Sequence, residues 1–212
     1  MNENQDYMSS EDLSTQEKIL TAATEEFAAS GASGARVDRI ARKAGVNKAM
    51  IYYYFRSKDG LYRAVISTYL DRASKMITGA IDQSLEIEDF LLSISDTYAR
   101  IFHLAGPFRS ILLRELAGGD PAVIHRIAET LSETGLAKKI SFCLQRGIQE
   151  GRLRAVDIRQ AVFSFIAMNV GFMLLAPLAG RILDVSDTDL FVQERKRAVV
   201  DLFLNGVKAR QE

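Results

Sequence analysis

A chain of 212 residues, 48% hydrophobic and 25% charged, is long enough to bury a proper core, either as one domain or as a small domain joined to a larger one. Its formal net charge is zero, so bulk electrostatics direct it to neither nucleic acid nor a membrane surface, although the charge is unevenly placed. The single cysteine, Cys143, excludes an internal disulfide; set among Ile140, Phe142 and Leu144, it reads as a buried structural thiol in a reducing compartment.

Residues 1–12 are polar and acidic and are expected to form a disordered tail. Glu3, Asp6, Glu11, Asp12 and Glu17, with no Lys or Arg among them, give residues 1–17 a charge of −5. No positively charged stretch leads into an apolar one here, so a secretory signal is not expected and the cytoplasm is. Ser14 and Glu17 have the spacing of a capping box for a first helix, whose stripe Ile19, Leu20, Ala23, Phe27 stops near Gly31. Two short helices follow within Val37–Phe55, joined by a tight turn. Ala41 is small where the helices cross, and Gly45 supplies the positive φ that a Cβ resists. Asn47 caps the next helix, and Ile40, Val46 and Ile51 form an apolar wedge. This is the unit that sets a recognition helix into the DNA major groove. Residues 36–63 carry Arg36, Arg39, Arg42, Lys43, Lys48, Arg56, Lys58 and Arg63 against Asp38 and Asp59, a charge of +6. A basic patch around such a unit on a neutral chain is the footprint of a DNA-contacting module.

The rest reads as helix after helix, since Pro occurs only at 107, 121 and 177 and no stretch alternates with period two. Ser57 caps a fourth helix over 58–77, and further helices are expected at 86–104, 108–117, 121–150, 157–182 and 187–208, about nine in all. Residues 161–179 lack any charge, which is the length of a membrane span. Ser164, Asn169, Gly171 and Pro177, and the absence of an aromatic belt, favour burial in a core or an oligomer interface instead.

From Phe27…Gly31 through Ile40-Ala41, Ala44-Gly45-Val46-Asn47-Lys48 and Ile51-Tyr52-Tyr53-Tyr54-Phe55-Arg56-Ser57-Lys58-Asp59-Gly60-Leu61, the sequence resembles the TetR family of bacterial regulators. The resemblance spans about residues 14–62. It implies an all-α homodimer: a helix-turn-helix domain over 13–62, and a helical domain over 63–212 that dimerises and binds a small-molecule effector. It also implies a repressor that leaves its operator when the effector binds, with no cofactor and no membrane. The family often places Ser or Thr before the second helix, where Ala35-Arg36 stands here; either Asp38 partly replaces that cap or Arg36 serves as a phosphate contact.

Within the motif, the candidate DNA-binding residues are Arg36, Asn47, Lys48, Ala49, Met50, Tyr52, Tyr53 and Lys58, with Lys48, Ala49 and Met50 at the N-terminal end of the recognition helix. Lys48 can reach a guanine or a phosphate, while Ala49 and Met50 can touch thymine methyls. Tyr53 is assigned to a phosphate, Tyr52 to a base, Phe55 to the core, and Lys58 to a phosphate near a helix N-terminus. For a small apolar or amphipathic effector the candidates are Tyr69, Tyr98, Phe102, His103, Arg109, Arg114, Phe142, Asn169 and Phe172. Helix four, from Lys58 to beyond Tyr69, is expected to carry the signal. For a dimer built from the last two helices, Phe165, Leu174, Val199, Leu202 and Phe203 are selected. His103 and His125 lack metal-ligand spacing. A helical adaptor using 161–179 is the alternative. An enzyme ranks last, for want of a phosphate loop, nucleophile elbow or paired carboxylates.

Overall fold

The computed structural model describes residues 10–82 and 85–207, so the expected acidic tail lies outside the described residues up to position 9. Ten helices follow in order: α1 (Ser10–Gly34), α2 (Val37–Ala44), α3 (Lys48–Phe55), α4 (Lys58–Ala80), α5 (Ile87–Ala105), α6 (Phe108–Leu116), α7 (Pro121–Glu133), α8 (Leu136–Gln149), α9 (Ile158–Ile182) and α10 (Thr188–Val207). Two expectations change. α1 begins at Ser10, which puts Ser14 inside the helix rather than at its cap. The helix expected over 121–150 is two helices, because Gly135 adopts the left-handed conformation (φ 72°, ψ 2°) between them. No proline marks that break, and a lone glycine within a helical pattern does not by itself end one.

Two compact units divide the chain. The first holds the residues up to Tyr69 together with Pro107–Gly119, so α6 clusters with the N-terminal helices although 37 residues separate it from them in sequence. Ile19, Ala23, Phe27, Ile40, Ile51, Leu61 and Ile111 are buried at its centre. The Phe27 ring meets Tyr62 edge-on, with centroids 4.9 Å apart. α1 bends at Gly31 (φ 70°, ψ 173°) and resumes to Gly34, where the sequence pattern had it stopping. α6 grips α1 there. The Arg114 guanidinium donates to the carbonyls of Phe27 (2.9 Å) and Ala28 (2.8 Å), just before the bend. Beside it, the Tyr62 hydroxyl donates to Oε1 of the buried Glu115 at 2.5 Å. Burial, then that hydrogen bond, push the Tyr62 phenol well above its usual range, so it remains a donor.

The second unit comprises Leu70–Gly106 and the chain from Asp120 onward. Its core joins Phe90, Leu91 and Ile94 of α5, Ile140 and Leu144 of α8, Phe165 of α9, and Val199, Phe203 and Leu204 of α10. Aspartate caps start α7, α9 and α10. Asp120 accepts from Ala122 N–H with Pro121 in the first turn. Asp157 accepts from the N–H groups of Arg159 and Gln160 to open α9, and Asp187 from those of Asp189 and Leu190 to open α10. Lys196 on α10 ties to Asp96 on α5 at 2.7 Å. Cys143 is buried and free, as its neighbours indicate.

Candidate nucleic-acid interface and ligand cavity

The turn between α2 and α3 is built as its residue types require. Gly45 is left-handed (φ 69°, ψ 30°), and Val46 N–H returns to Ala41 O at 3.0 Å, closing the end of α2. Asn47 Oδ1 accepts from Ala49 N–H at 2.9 Å and caps α3, so its side chain faces the helix start. α2 takes its cap from elsewhere. Neither Asp38 nor Arg36 supplies a capping side chain. Instead, Arg36 N–H donates to Glu26 Oε1 at 3.1 Å, a residue of α1 that the sequence reading missed because it lies ten positions away.

Ile51 fills the inner face of α3. Lys48, Ala49, Tyr52 and Tyr53 share the outer face, Tyr53 being 71% exposed, and Met50 is half-buried beside them. Phe55, expected in the core, is only half-buried: it ends the helix and tilts against Tyr54 at 6.2 Å. Part of the basic patch is internally paired. Lys48 bonds Asp38 at 2.7 Å, and that bond raises its pKa. Lys43 pairs with Glu25, and Lys58 donates to the carbonyls of Ser33 (2.9 Å) and, more weakly, Ala35 (3.5 Å). Lys58 therefore closes the α1–α2 corner. Arg36, Arg42 and Arg56 are exposed.

Arg56 also has an unusual backbone. Its φ of 66° and ψ of −45°, with Ser57 N–H on Phe55 O at 2.7 Å, make a γ-turn of positive φ between α3 and α4. Ser57 Oγ then accepts from Gly60 N–H at 2.9 Å and caps α4, as expected. Arg56→Gly is expected to raise unfolding stability by about 1 kcal/mol in urea melts, because glycine adopts this φ without strain. An unchanged or lower midpoint would show that the turn stores no strain.

In the second unit, a cavity between α5, α9 and α10 is lined by Ser95, Tyr98, Phe102, Asn169, Phe172 and Arg195, among others. Four of the candidates chosen from sequence, Tyr98, Phe102, Asn169 and Phe172, meet here. Phe102 stacks on Phe172 with centroids 5.5 Å apart, and burial pushes the Tyr98 phenol up to about 12. Five do not. Tyr69 stacks on Phe108 at 4.4 Å in the first unit, and Arg109 and Arg114 lie on α6 in the same unit. His103 is exposed beside Asp189 at 3.6 Å, and Phe142 is exposed on α8. Arg195 was missed because an arginine among Glu194, Lys196 and Arg197 reads as surface. The free space is about 20 Å³, room for one oxygen-sized group, so in this conformation the rings nearly close it.

The residues selected for a dimer face need the same correction. Phe165 (0% exposed), Val199 and Phe203 belong to the chain's own core, and the Phe165 and Phe203 rings lie 5.3 Å apart. Leu174 lies outside the described side chains. Leu202, 68% exposed, stays available. A helix apolar on every side does not reveal which side faces inward. The outer face of α9 carries Phe163, Leu175, Leu178 and Ile182 at helical spacing, with Ala167 and Gly171 between. Among the described residues, no helix is long and apolar enough to cross a membrane.

A capped recognition helix set behind a left-handed glycine, with lysine and tyrosines on its outer face, defines a helix-turn-helix DNA-binding protein. Residues 19–65 match the family model "Bacterial regulatory proteins, tetR family". The HTH-type transcriptional repressor SCO4008 of Streptomyces coelicolor is 38% identical over 177 residues, covering 80% of this chain and 83% of that one. The transcriptional regulator RutR of Escherichia coli is 25% identical over 202 residues, 91% and 90% of the two chains. The solved structure of FadR from Bacillus subtilis in complex with stearoyl-CoA shares the fold with a TM-score of 0.68 at 19% identity, covering 90% of this chain and 98% of that one. The chain belongs to the TetR family of bacterial regulatory proteins, and it is a transcriptional regulator.

Proposed function

We propose that the protein is a repressor that binds a pseudo-palindromic operator as a two-fold dimer and is released by a small organic effector. The observation that carries the DNA reading is the outer face of α3, where Lys48, Ala49, Tyr52 and Tyr53 stand together on a helix locked by Asn47. Two such helices would lie about 34–36 Å apart, or a near multiple, to enter successive major grooves. Tyr53 would bond a phosphate, Tyr52, Ala49 and Met50 would read bases, and Arg36 would add a phosphate contact at the start of α2. The exposed faces of α9 and α10, through Phe163, Leu175, Leu178 and Leu202, would form the dimer.

The effector would occupy the α5–α9–α10 cavity. Opening so small a space displaces its walls, so a ligand selects a different conformation from the closed one. α5, one of those walls, runs through Gly106-Pro107 directly into α6, whose Arg114 and Glu115 hold α1 and Tyr62. That covalent route supports signalling through α6 as well as along α4. A coupling of about 1–3 kcal/mol would change occupancy roughly 5- to 150-fold. The relative named a repressor supports that sign of regulation.

Gel shifts on the DNA upstream of the encoding gene and its neighbours test the reading. Tyr53→Phe is expected to weaken binding severalfold on all sequences alike, since a phosphate bond carries no sequence information. Met50→Ala is expected to relax preference at one or two base positions. A Tyr53→Phe protein with altered base preference at full affinity would reverse the two roles.

A further inference from the structure

The described residues hold four buried side-chain polar atoms without a hydrogen-bond partner, and two of them, Ser95 Oγ and Arg195 Nε, belong to residues lining the same cavity. Neither is explained by the fold. A serine inside a helix ordinarily returns its hydroxyl to the carbonyl four residues back, as Thr97 does to Ser93 at 2.9 Å. Ser95, 2% exposed on the same helix, makes no such bond. Arg195 is half-buried. Its Nη2 donates to Met168 O at 3.0 Å, and its guanidinium lies over the Phe172 ring at 5.0 Å. Among the described residues, no carboxylate pairs with it. Asp96, the residue after Ser95 on α5, is taken by Lys196 at 2.7 Å and by Arg100 at 3.5 Å. Burial accordingly lowers the Arg195 pKa, but not enough to discharge an arginine. Among the described residues, the cavity lining thus includes a cation with no carboxylate partner, an Nε–H and a serine hydroxyl that make no hydrogen bond, and the aromatic rings of Phe102 and Phe172.

We propose that this cavity binds a small organic monocarboxylate, its carboxylate held by Arg195 and Ser95 and its flat or short apolar body packed against the Phe102 and Phe172 rings. This deepens the effector reading above and rests on it. A carboxylate supplies what the site lacks: a negative charge for the guanidinium, and lone pairs for both unused donors. A neutral amide of the same shape offers one acceptor and no charge, and adds N–H donors facing a cation.

Isothermal calorimetry on the full-length protein with two matched pairs, benzoate against benzamide and butyrate against butyramide, tests the assignment. At least one acid is expected to bind ten times or more tighter than its amide. Arg195→Gln should weaken that acid roughly ten- to a hundredfold and leave the amide unchanged. Arg195→Lys should restore part of the loss. Ser95→Ala should weaken the acid more modestly at an undiminished melting temperature, because it removes an unpaired buried hydroxyl; it therefore reads the site even if the Arg195 variants fold poorly. Equal affinity for acid and amide, acid binding untouched in the Ser95 and Arg195 variants, or no acid bound in either pair overturns the proposal. A neutral amide that binds as well as its acid and still releases DNA overturns the anion alone. An acid that binds through Arg195 without changing DNA affinity supports the anion site and removes the effector reading.

Discussion

Phe163→Glu and Leu202→Glu are expected to turn the proposed dimer into a folded monomer, whereas Phe165→Glu, two residues from the first, is expected to unfold the second unit. The contrast follows from which way each side chain faces. Phe163 and Leu202 are 70% and 68% exposed in the single chain, so a glutamate there remains hydrated until a second copy covers it. Covering it strands a charge without a partner, at a cost of several kcal/mol, enough to weaken association by a hundredfold or more. Phe165 has no exposure and meets Phe203, so the same substitution buries the charge within one chain. Sedimentation velocity and far-ultraviolet circular dichroism separate the outcomes. Both surface variants should lose operator affinity together with dimerisation, because one recognition helix reads only a half-site. A Leu202→Glu protein that remains dimeric at micromolar concentration would place the interface elsewhere.

Gly60→Ala carries the second large effect. A Cβ on Gly60 would stand 2.1 Å from Phe55 O, far inside contact distance, although Gly60 has no unusual φ. That carbonyl cannot retreat freely, because it accepts Ser57 N–H at 2.7 Å in the γ-turn. The methyl group must therefore shift the junction between the recognition helix and α4. A loss of about 2–3 kcal/mol is expected, or roughly 5–10 °C in melting temperature. DNA affinity should fall further than stability alone accounts for, since the displaced segment orients α3. A variant melting with the wild type would show that the junction has slack.

What could be read in the sequence was what is decided locally. Gly45, Asn47 and Ser57 each act on a backbone group within five residues, so the turn, the cap of α3 and the start of α4 follow from residue type and spacing. The all-helical class and the TetR resemblance were legible for the same reason. Partners far along the chain were not. Glu26 receives the N–H of Arg36, Lys58 reaches back 25 residues to Ser33, and Arg114 reaches back 87 to Phe27; nothing in the spacing of these residues announces the pairing. The cavity was half legible: Tyr98, Phe102, Asn169 and Phe172 are aromatic or polar residues on apolar helices, whereas Arg195 is hidden in a charged run. On α9, the choice of Phe165 over Phe163 as an outward residue failed because the helix is apolar on both sides, and only packing distinguishes them.

The attachment of α6 bears on how such regulators can be recombined. A DNA-reading head is often treated as a cassette, cut after the fourth helix starts and joined to a foreign sensor. Here the head is discontinuous: residues 107–119 complete it from within the other half of the chain. A graft limited to the first 69 residues would leave Tyr62 and the carbonyls of Phe27 and Ala28 facing whatever the new host offers in place of Glu115 and Arg114. The transferable unit is two segments, and the loop that ends α5 is therefore a seam of inheritance between the two halves, along which exchange of sensors has to respect a pairing set some fifty to ninety residues apart.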